Sequence, residues 1–420
     1  MSTPASLYRN AIDLNRYSNS VARRIIVNYN DIILDAVEQL QRLIPNVTDG
    51  ELPTITAPQK AARLRSILAQ LKESLDTWAG DSTELTALEL QGLAELQSEF
   101  VEEQLKKVLP AGERNIVRSV EISPQFAQSV VTTDPTQINV VTLSDDLFAA
   151  VQGAPQTFSL TAAQGATITL PNGKIVEKAF RGIAEDQAER FAQVVRQGLL
   201  TGEPTADIAR RLKGKLDFGD IGPLSRGQVR AAGLSVRELQ KAGGELTRVA
   251  NHQVVTLVRT SVNQVANAAS QQTYEANQDI TKKYRYVATL DTKTSAICRA
   301  LDGREFEYGK GPMPPQHFNC RSTTVPVVDY EGLGFDPPPE GKRAAKGGMV
   351  PTNQSYGQWL YDENSARGRQ RQADVLGSKA PYFRRLARKH GAKDAIAKLV
   401  RDDGSELTLA DLRKRYGRIN

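Results

Sequence analysis

Cys298, His317 and Cys320 are the residues whose types and spacing could do chemistry. They read Cys-x18-His-x2-Cys, two thiols and an imidazole, which are the donors that zinc favours. His-x2-Cys is tight enough to share one ion if the intervening loop folds back. A structural zinc site wants a fourth ligand, and Asp291 or Asp302 is the nearest candidate. One arm of the usual Cys-x2-Cys is missing. The same residues also suit a plainer arrangement, a buried cysteine pair with a hydrogen-bonded histidine holding a loop. On the sequence alone the plainer arrangement is preferred, with no cofactor. A Cys–His pair is also the beginning of a nucleophile, but no orienting third group or oxyanion loop is evident. His252 and His390 are the other histidines, and there is neither a P-loop nor a His-Glu-x-x-His. These absences argue against an enzyme.

A second chemistry lies in charge. The chain has 420 residues and a net charge of +6. Residues 336–420 hold 18 Lys/Arg against 10 Asp/Glu, so the basic excess falls entirely in the last fifth. Arg384, Arg385, Arg388 and Lys389 cluster in one stretch, and Arg413, Lys414 and Arg415 end another. A local positive field attracts phosphates or an acidic protein surface. A plainly solvated tail is the equal alternative.

The elements that must position these groups are mostly helical. Hydrophobic residues at 40% and charged residues at 24% fit a globular chain and exclude a wholly disordered or collagen-like one. No stretch approaches the ~20 apolar residues that span a bilayer, and the start Met1-Ser2-Thr3-Pro4 does not read as a secretory leader. Two cysteines exclude a disulfide scaffold, which makes a reducing cytoplasm the expected place of assembly. Ile25, Tyr29, Ile32, Ile33, Ala36, Val37 and Leu40 recur at helical steps, with Pro45 as a stop. A second helix is expected from about Gln59 to Trp78, ended by Gly80, and a third from an N-cap at Ser82 to Pro110. Alternation around Ile138–Val141 and Ala166–Leu170, followed by Pro171-Asn172-Gly173, predicts a small β element with a hairpin. Helical period returns from Glu185. A short helix is expected near 205–212; its loose helix–turn–helix character is read as packing rather than DNA reading. Another helix is expected over Ser235–Asn277. Tyr284–Ala288 and Thr323–Val327 read as strands, with a Gly/Pro-rich loop between them. Asp336-Pro337-Pro338-Pro339 and Lys346-Gly347-Gly348 read as a linker. Beyond it come a basic helix around Tyr382–Leu399 and a last helix capped by Thr408. There is no internal repeat. The fold class is α+β, mostly helical. The expected organisation is an N-terminal helical domain (1–115), a small β-containing segment (116–184), a core (185–332), a linker (333–350) and a basic C-terminal extension (351–420).

Arg259-Thr260-Ser261, the helix through Asn267 to Asn277, the strand Tyr284–Thr289, Asp291-Thr292-Lys293-Thr294, Cys298-Arg299-Ala300-Leu301-Asp302-Gly303 and Pro314-Pro315-Gln316-His317-Phe318-Asn319-Cys320-Arg321 follow in that order. This order resembles the Mu F-like head morphogenesis domain of tailed bacteriophages, over about residues 185–330. Ser355–Leu360, Val375-Leu376-Gly377 and Leu407-Thr408-Leu409 are similar to a C-terminal extension that some of these phage proteins carry. The resemblance marks Asp291, Asp302, Gly303, Pro315 and Arg321 as motif residues. Many members carry further cysteines where this chain has Ser295 and Ser322, which weakens the case for a metal. The resemblance implies a minor capsid protein assembled with the portal and with inner-shell or scaffold proteins, inside the virion head after assembly in the host cytoplasm. Packaged DNA would be a partner of the basic extension. Two other classes follow from it, a DNA-binding protein ejected with the genome and a toxin- or transferase-like enzyme carried in the head.

Overall fold

The computed structural model describes residues 5–43, 57–131, 139–140, 156–157, 175–200, 208–209, 212, 245–362, 365–401 and 404–418. The chain is mostly helical with a few short antiparallel strands. It forms two compact units, each built from separated stretches. One comprises Met1–Asn15, Leu90–Gly173 and Thr260–Asn420, and the other Arg16–Glu89 and Lys174–Arg259.

The helices are α1 (Ala5–Leu43), α2 (Ala57–Val108), α3 (Phe126–Val131), α4 (Ile175–Leu200) and α5 (Glu245–Ala276). The second and third expected helices are one, α2. Gly80 lies inside it on an exposed face, where glycine costs only about 1 kcal/mol relative to alanine. Ser82 is buried within α2 rather than capping a new helix. The second unit has its core around Trp78. Its ring packs on Tyr29 (centroids 5.4 Å apart) and Phe180 (5.6 Å), and its indole N–H donates to the Ile25 carbonyl (3.0 Å).

Asn139–Val140 (β1) and Gln156–Thr157 (β2) pair antiparallel. The hairpin expected around Pro171-Asn172-Gly173, the short helix start near 205 and the helix start at Ser235 fall outside the described residues.

The first unit is organised by a three-stranded antiparallel sheet of order β4-β3-β5, with β3 Thr281–Val287, β4 Glu305–Glu307 and β5 Thr323–Val328. Tyr284 pairs with both Phe306 and Pro326. Pro326 is tolerated because β5 is an edge strand with no further ladder to feed. Alternation splits the sheet's faces. Tyr284 and Tyr286 point into one core with Tyr274, Cys298 and Cys320, whereas Val287 and Val325 meet Leu7 and Tyr8. The C-terminal stretch of α5 is fastened to β5 by side chains. Tyr274 Oη donates to the Thr324 carbonyl (3.2 Å), the Asn267 amide oxygen accepts from Thr324 N–H (3.1 Å), and Asn263 donates to the Ser322 carbonyl (2.7 Å).

After β3, α6 (Ala296–Leu301) precedes β4, and α7 (Tyr330–Leu333) follows β5. Within 333–350, read above as a linker, there is a hairpin of β6 (Lys342–Ala345) and β7 (Gly348–Pro351). Lys346 and Gly347 make the turn, with φ +103° at Gly347, and Gly348, with φ +142°, opens β7 opposite Ala345. Helices α8 (Tyr356–Leu360), α9 (Ala366–Leu376), α10 (Ala380–His390), α11 (Ala392–Ala397) and α12 (Leu409–Tyr416) follow. They close a second core in this unit around Tyr356, Trp359, Phe383, Leu386 and Leu412. Reciprocal capping boxes start two of them, Ser355 with Gln358 and Thr408 with Asp411.

Candidate metal centre

Cys298 enters from the first turn of α6, whose N-cap is Ser295. His317 and Cys320 come from the irregular stretch leading into β5. There Cys320 N–H donates to the His317 carbonyl (3.2 Å), closing a four-residue turn, and Asn319 takes φ +58°, a conformation asparagine tolerates. That turn sets His317 and Cys320 side by side, and Asn319 N–H anchors it to Thr260 Oγ1 of α5 (3.1 Å). The ligand atoms of Cys298, His317 and Cys320 all lie within 4.8 Å of one another. The two sulfurs are 3.7 Å apart, and His317 Nε2 is 3.3 Å from Cys298 Sγ and 2.8 Å from Ser295 Oγ.

Protonation at this cluster follows from burial and from the mutual contacts. Burial pushes the Cys298 thiol up, and the Cys320 sulfur beside it pushes it further. Cys320 is just as buried, but the hydrogen bond with Cys298 and the adjacent His317 outweigh burial and hold its thiol well below the usual thiol range. At His317, burial favours the neutral ring, yet the Cys320 sulfur raises its pKa above the ordinary histidine value. Tyr286 Oη lies 3.3 Å from Cys298 Sγ, and burial keeps this phenol protonated. A low-pKa thiol beside an imidazole is the start of a nucleophile. Here Cys320 is only 1% exposed, so no substrate carbonyl reaches it in this conformation.

Neither aspartate offered as a fourth ligand joins the cluster. Asp291 grips Arg321 with both oxygens (2.5 and 3.0 Å) and accepts from Lys293 N–H (2.9 Å) and Thr294 Oγ1 (3.0 Å). Burial would raise its carboxyl, but the Arg321 guanidinium more than offsets this and holds it below the usual carboxylate range. Asp302 is fully buried and saturated. It accepts from Ala288 N–H (2.6 Å), Tyr356 N–H (2.6 Å) and both terminal nitrogens of Arg343 (3.0 and 3.3 Å). Gly303 follows with φ +76°, donating its N–H to the Tyr286 carbonyl (2.8 Å). The Pro314–Pro315 bond is cis.

The basic residues sit elsewhere in this unit. Arg384, Arg385, Arg388 and Arg413 line one concavity of about 980 Å³ with Arg418 and Tyr382, and its described lining contains no acidic side chain. Arg384 donates to the Gln372 amide oxygen (3.1 Å), and Arg385 donates to the Tyr416 carbonyl and lies 5.6 Å from the Tyr382 ring centroid. Lys389, Lys414 and Arg415 are exposed but do not line the concavity.

Residues 189–325 match the family model described as Phage Mu protein F like protein. This stretch of the chain is Mu F-like. All three residues of the thiol–imidazole cluster lie within the Mu F-like stretch, whereas Arg343 and the arginine-lined concavity lie beyond it. No curated protein and no solved structure matches the chain. Two contributors around the Mu F-like stretch were missed by sequence reasoning. Tyr286 looks like any strand tyrosine, and Arg343 reads as one more charge in a basic tail. Only the tertiary arrangement singles them out.

Proposed function

We propose that this chain is a minor head protein of a tailed phage, built into the precursor shell with the portal or inner-shell proteins. The observation that carries this reading is the Mu F-like match over residues 189–325. Long helices offer extended faces for neighbouring subunits, and among the described residues no helix is long and apolar enough to cross a membrane. The role proposed is structural rather than catalytic, in keeping with the burial of Cys320. The arginine-lined concavity of the extension is assigned to packaged DNA, through phosphate contacts that ignore sequence and weaken with salt. That concavity also favours a second reading, a DNA-binding protein that leaves the head with the genome.

The test is composition. Mass spectrometry of purified precursor heads and mature virions should find the chain in both, and affinity capture of the portal from infected cells should bring it along. Absence from both particles would overturn the head assignment. Presence in virions but loss from emptied particles would select the ejected reading.

A further inference from the structure

We infer that Cys298, His317 and Cys320 hold a zinc ion, in a site whose fourth vertex falls beside Ser295. The distances support this directly. With Zn–S near 2.3 Å and Zn–N near 2.0 Å, tetrahedral angles put two thiolates about 3.8 Å apart and a thiolate and imidazole nitrogen about 3.6 Å apart. The observed separations are 3.7 Å between the sulfurs and 3.3 Å from Cys298 Sγ to His317 Nε2. Two edges of a tetrahedral face are thus already near their zinc-bound lengths, and all three donors lie within 4.8 Å of one another. A disulfide would instead need the sulfurs near 2.05 Å and would give the histidine no reason to be there.

The surroundings are those of a ligand set. His317 Nδ1 lies 2.8 Å from the Phe318 carbonyl, to which its N–H donates, leaving the Nε2 lone pair aimed at the thiols. This is how metal-bound histidines are held in one tautomer and orientation. Both sulfurs are ringed by donors. Tyr286 Oη lies beside Cys298, and the backbone N–H of Gln316 donates to Cys320. The bound form has two thiolates and one neutral imidazole, whose charge cancels that of Zn²⁺, and the protons these three groups carry before binding go to solvent. The result is an electroneutral buried centre. Both sulfurs are fully buried, whereas His317 and Ser295 are only half-buried, so the open vertex faces Ser295. A water, or the Ser295 hydroxyl now bonded to Nε2, completes the set.

The site also answers a need of the fold. Residues 308–322 contain no helix or strand, and long irregular connections inside a compact unit are uncommon. Zinc would tie that stretch to α6 at one point. The inference is independent of the head-protein proposal and fails separately from it.

The test uses the full chain, purified under reducing conditions. Elemental analysis should find one zinc per chain. Cobalt substitution should give thiolate-to-cobalt charge-transfer bands and the visible bands of a tetrahedral site. Cys320→Ser and His317→Ala should weaken zinc binding by more than the roughly 10–100-fold that even an outer-shell change produces. Ser295→Cys should tighten binding by supplying a fourth thiolate. Should the single-ligand variants fail to fold, wild type and Ser295→Cys still decide the matter by competition with a chromogenic chelator. Sub-stoichiometric zinc that a weak chelator removes from both proteins would overturn the inference. So would an intact-mass deficit of two hydrogens showing a Cys298–Cys320 disulfide in freshly lysed cells.

Discussion

Replacing Asp302 with alanine should loosen the C-terminal extension without touching the second unit. The carboxylate is 0% exposed and Arg343 4% exposed, so this is a buried ion pair. It accepts four hydrogen bonds, two from Arg343 and one each from the backbone N–H groups of Ala288 and Tyr356. Those partners belong to the end of β3, to β6 and to the start of α8. Removing one member of a buried pair costs about 3–5 kcal/mol, chiefly because the remaining charge is stranded. The two orphaned N–H groups contribute to the same total at about 1–3 kcal/mol each if no water reaches them. A net of about 4 kcal/mol corresponds to roughly a thousandfold in an opening equilibrium. Hydrogen exchange with mass spectrometry reads this directly. Peptides covering 286–292, 342–346 and 355–361 should exchange about 100- to 1,000-fold faster in Asp302→Ala, while peptides from 16–43 keep their protection. Arg343→Met alone should also be costly, because it strands the aspartate. The double change to Asp302→Leu and Arg343→Met should recover much of the loss, since apolar replacement of a whole buried pair is often neutral. A change below about tenfold in all three peptides of Asp302→Ala would refute this role of the buried Asp302–Arg343 pair.

Three further outcomes are expected. Arg388→Glu combined with Arg413→Glu, both lining the arginine concavity, should weaken filter retention of any DNA sequence alike. It should also flatten the salt dependence by about one unit of log–log slope for each phosphate no longer neutralised; equal retention would remove DNA from the proposal. Trp78→Ala should destabilise the second unit by about 3–5 kcal/mol, as large core truncations do, because Tyr29, Phe180 and the Ile25 carbonyl all lose their partner. A urea-denaturation stability change under about 1 kcal/mol would contradict that core. Glu89 carries a pH signature. Burial alone would raise its carboxyl, but Tyr17 and Arg24 hold it below the ordinary glutamate value. A depressed carboxyl adds stability above its unfolded pKa and loses it as pH falls through the folded value. The stability difference between wild type and Glu89→Gln should therefore be flat at neutral pH and shrink only below the ordinary glutamate range.

What the sequence disclosed depended on how local the cause was. The face of Ile25, Tyr29, Ile33 and Val37, the strands around Tyr284 and Val325, and the Thr408 cap are set by neighbours within a turn or a strand, so period and capping chemistry reveal them. The break expected at Gly80 and Ser82 was wrong for a physical reason. A glycine and a serine are helix-stop signals only where no apolar face continues, and Trp78, Ala79, Leu90 and Leu93 continue one. Lys346-Gly347-Gly348 read as linker, whereas Lys346-Gly347 is the turn of a hairpin whose strands are short and polar enough to pass for linker. At the candidate centre the three donors were legible by type. Their convergence was not, because the stretch between them has no period. The fourth-ligand guess failed because Asp291 and Asp302 are claimed by arginines, one of them 41 residues further along the chain.

Helix α6 joins these threads. It has six residues, Ala296–Leu301, far below the ~12–15 at which an isolated helix becomes even marginal. Its intrinsic propensity cannot account for it, so its two ends must. At the start, Ser295 caps Cys298 N–H while its hydroxyl contacts His317, and Cys298 presents its sulfur to Cys320. At the end, Asp302 N–H donates to the Cys298 carbonyl, and the Asp302 carboxylate holds Arg343 and Tyr356. One end therefore fastens the irregular stretch before β5, and the other fastens the hairpin and helices of the extension. Anything that orders the first fastening lowers the entropy cost of the second, because the same six residues must be helical for both. On the zinc inference, chelation of the centre should raise hydrogen exchange not only at 296–301 and 314–322 but also at 342–346, which contains none of the three proposed ligands. Exchange confined to the ligand-bearing segments would mean the two fastenings are independent.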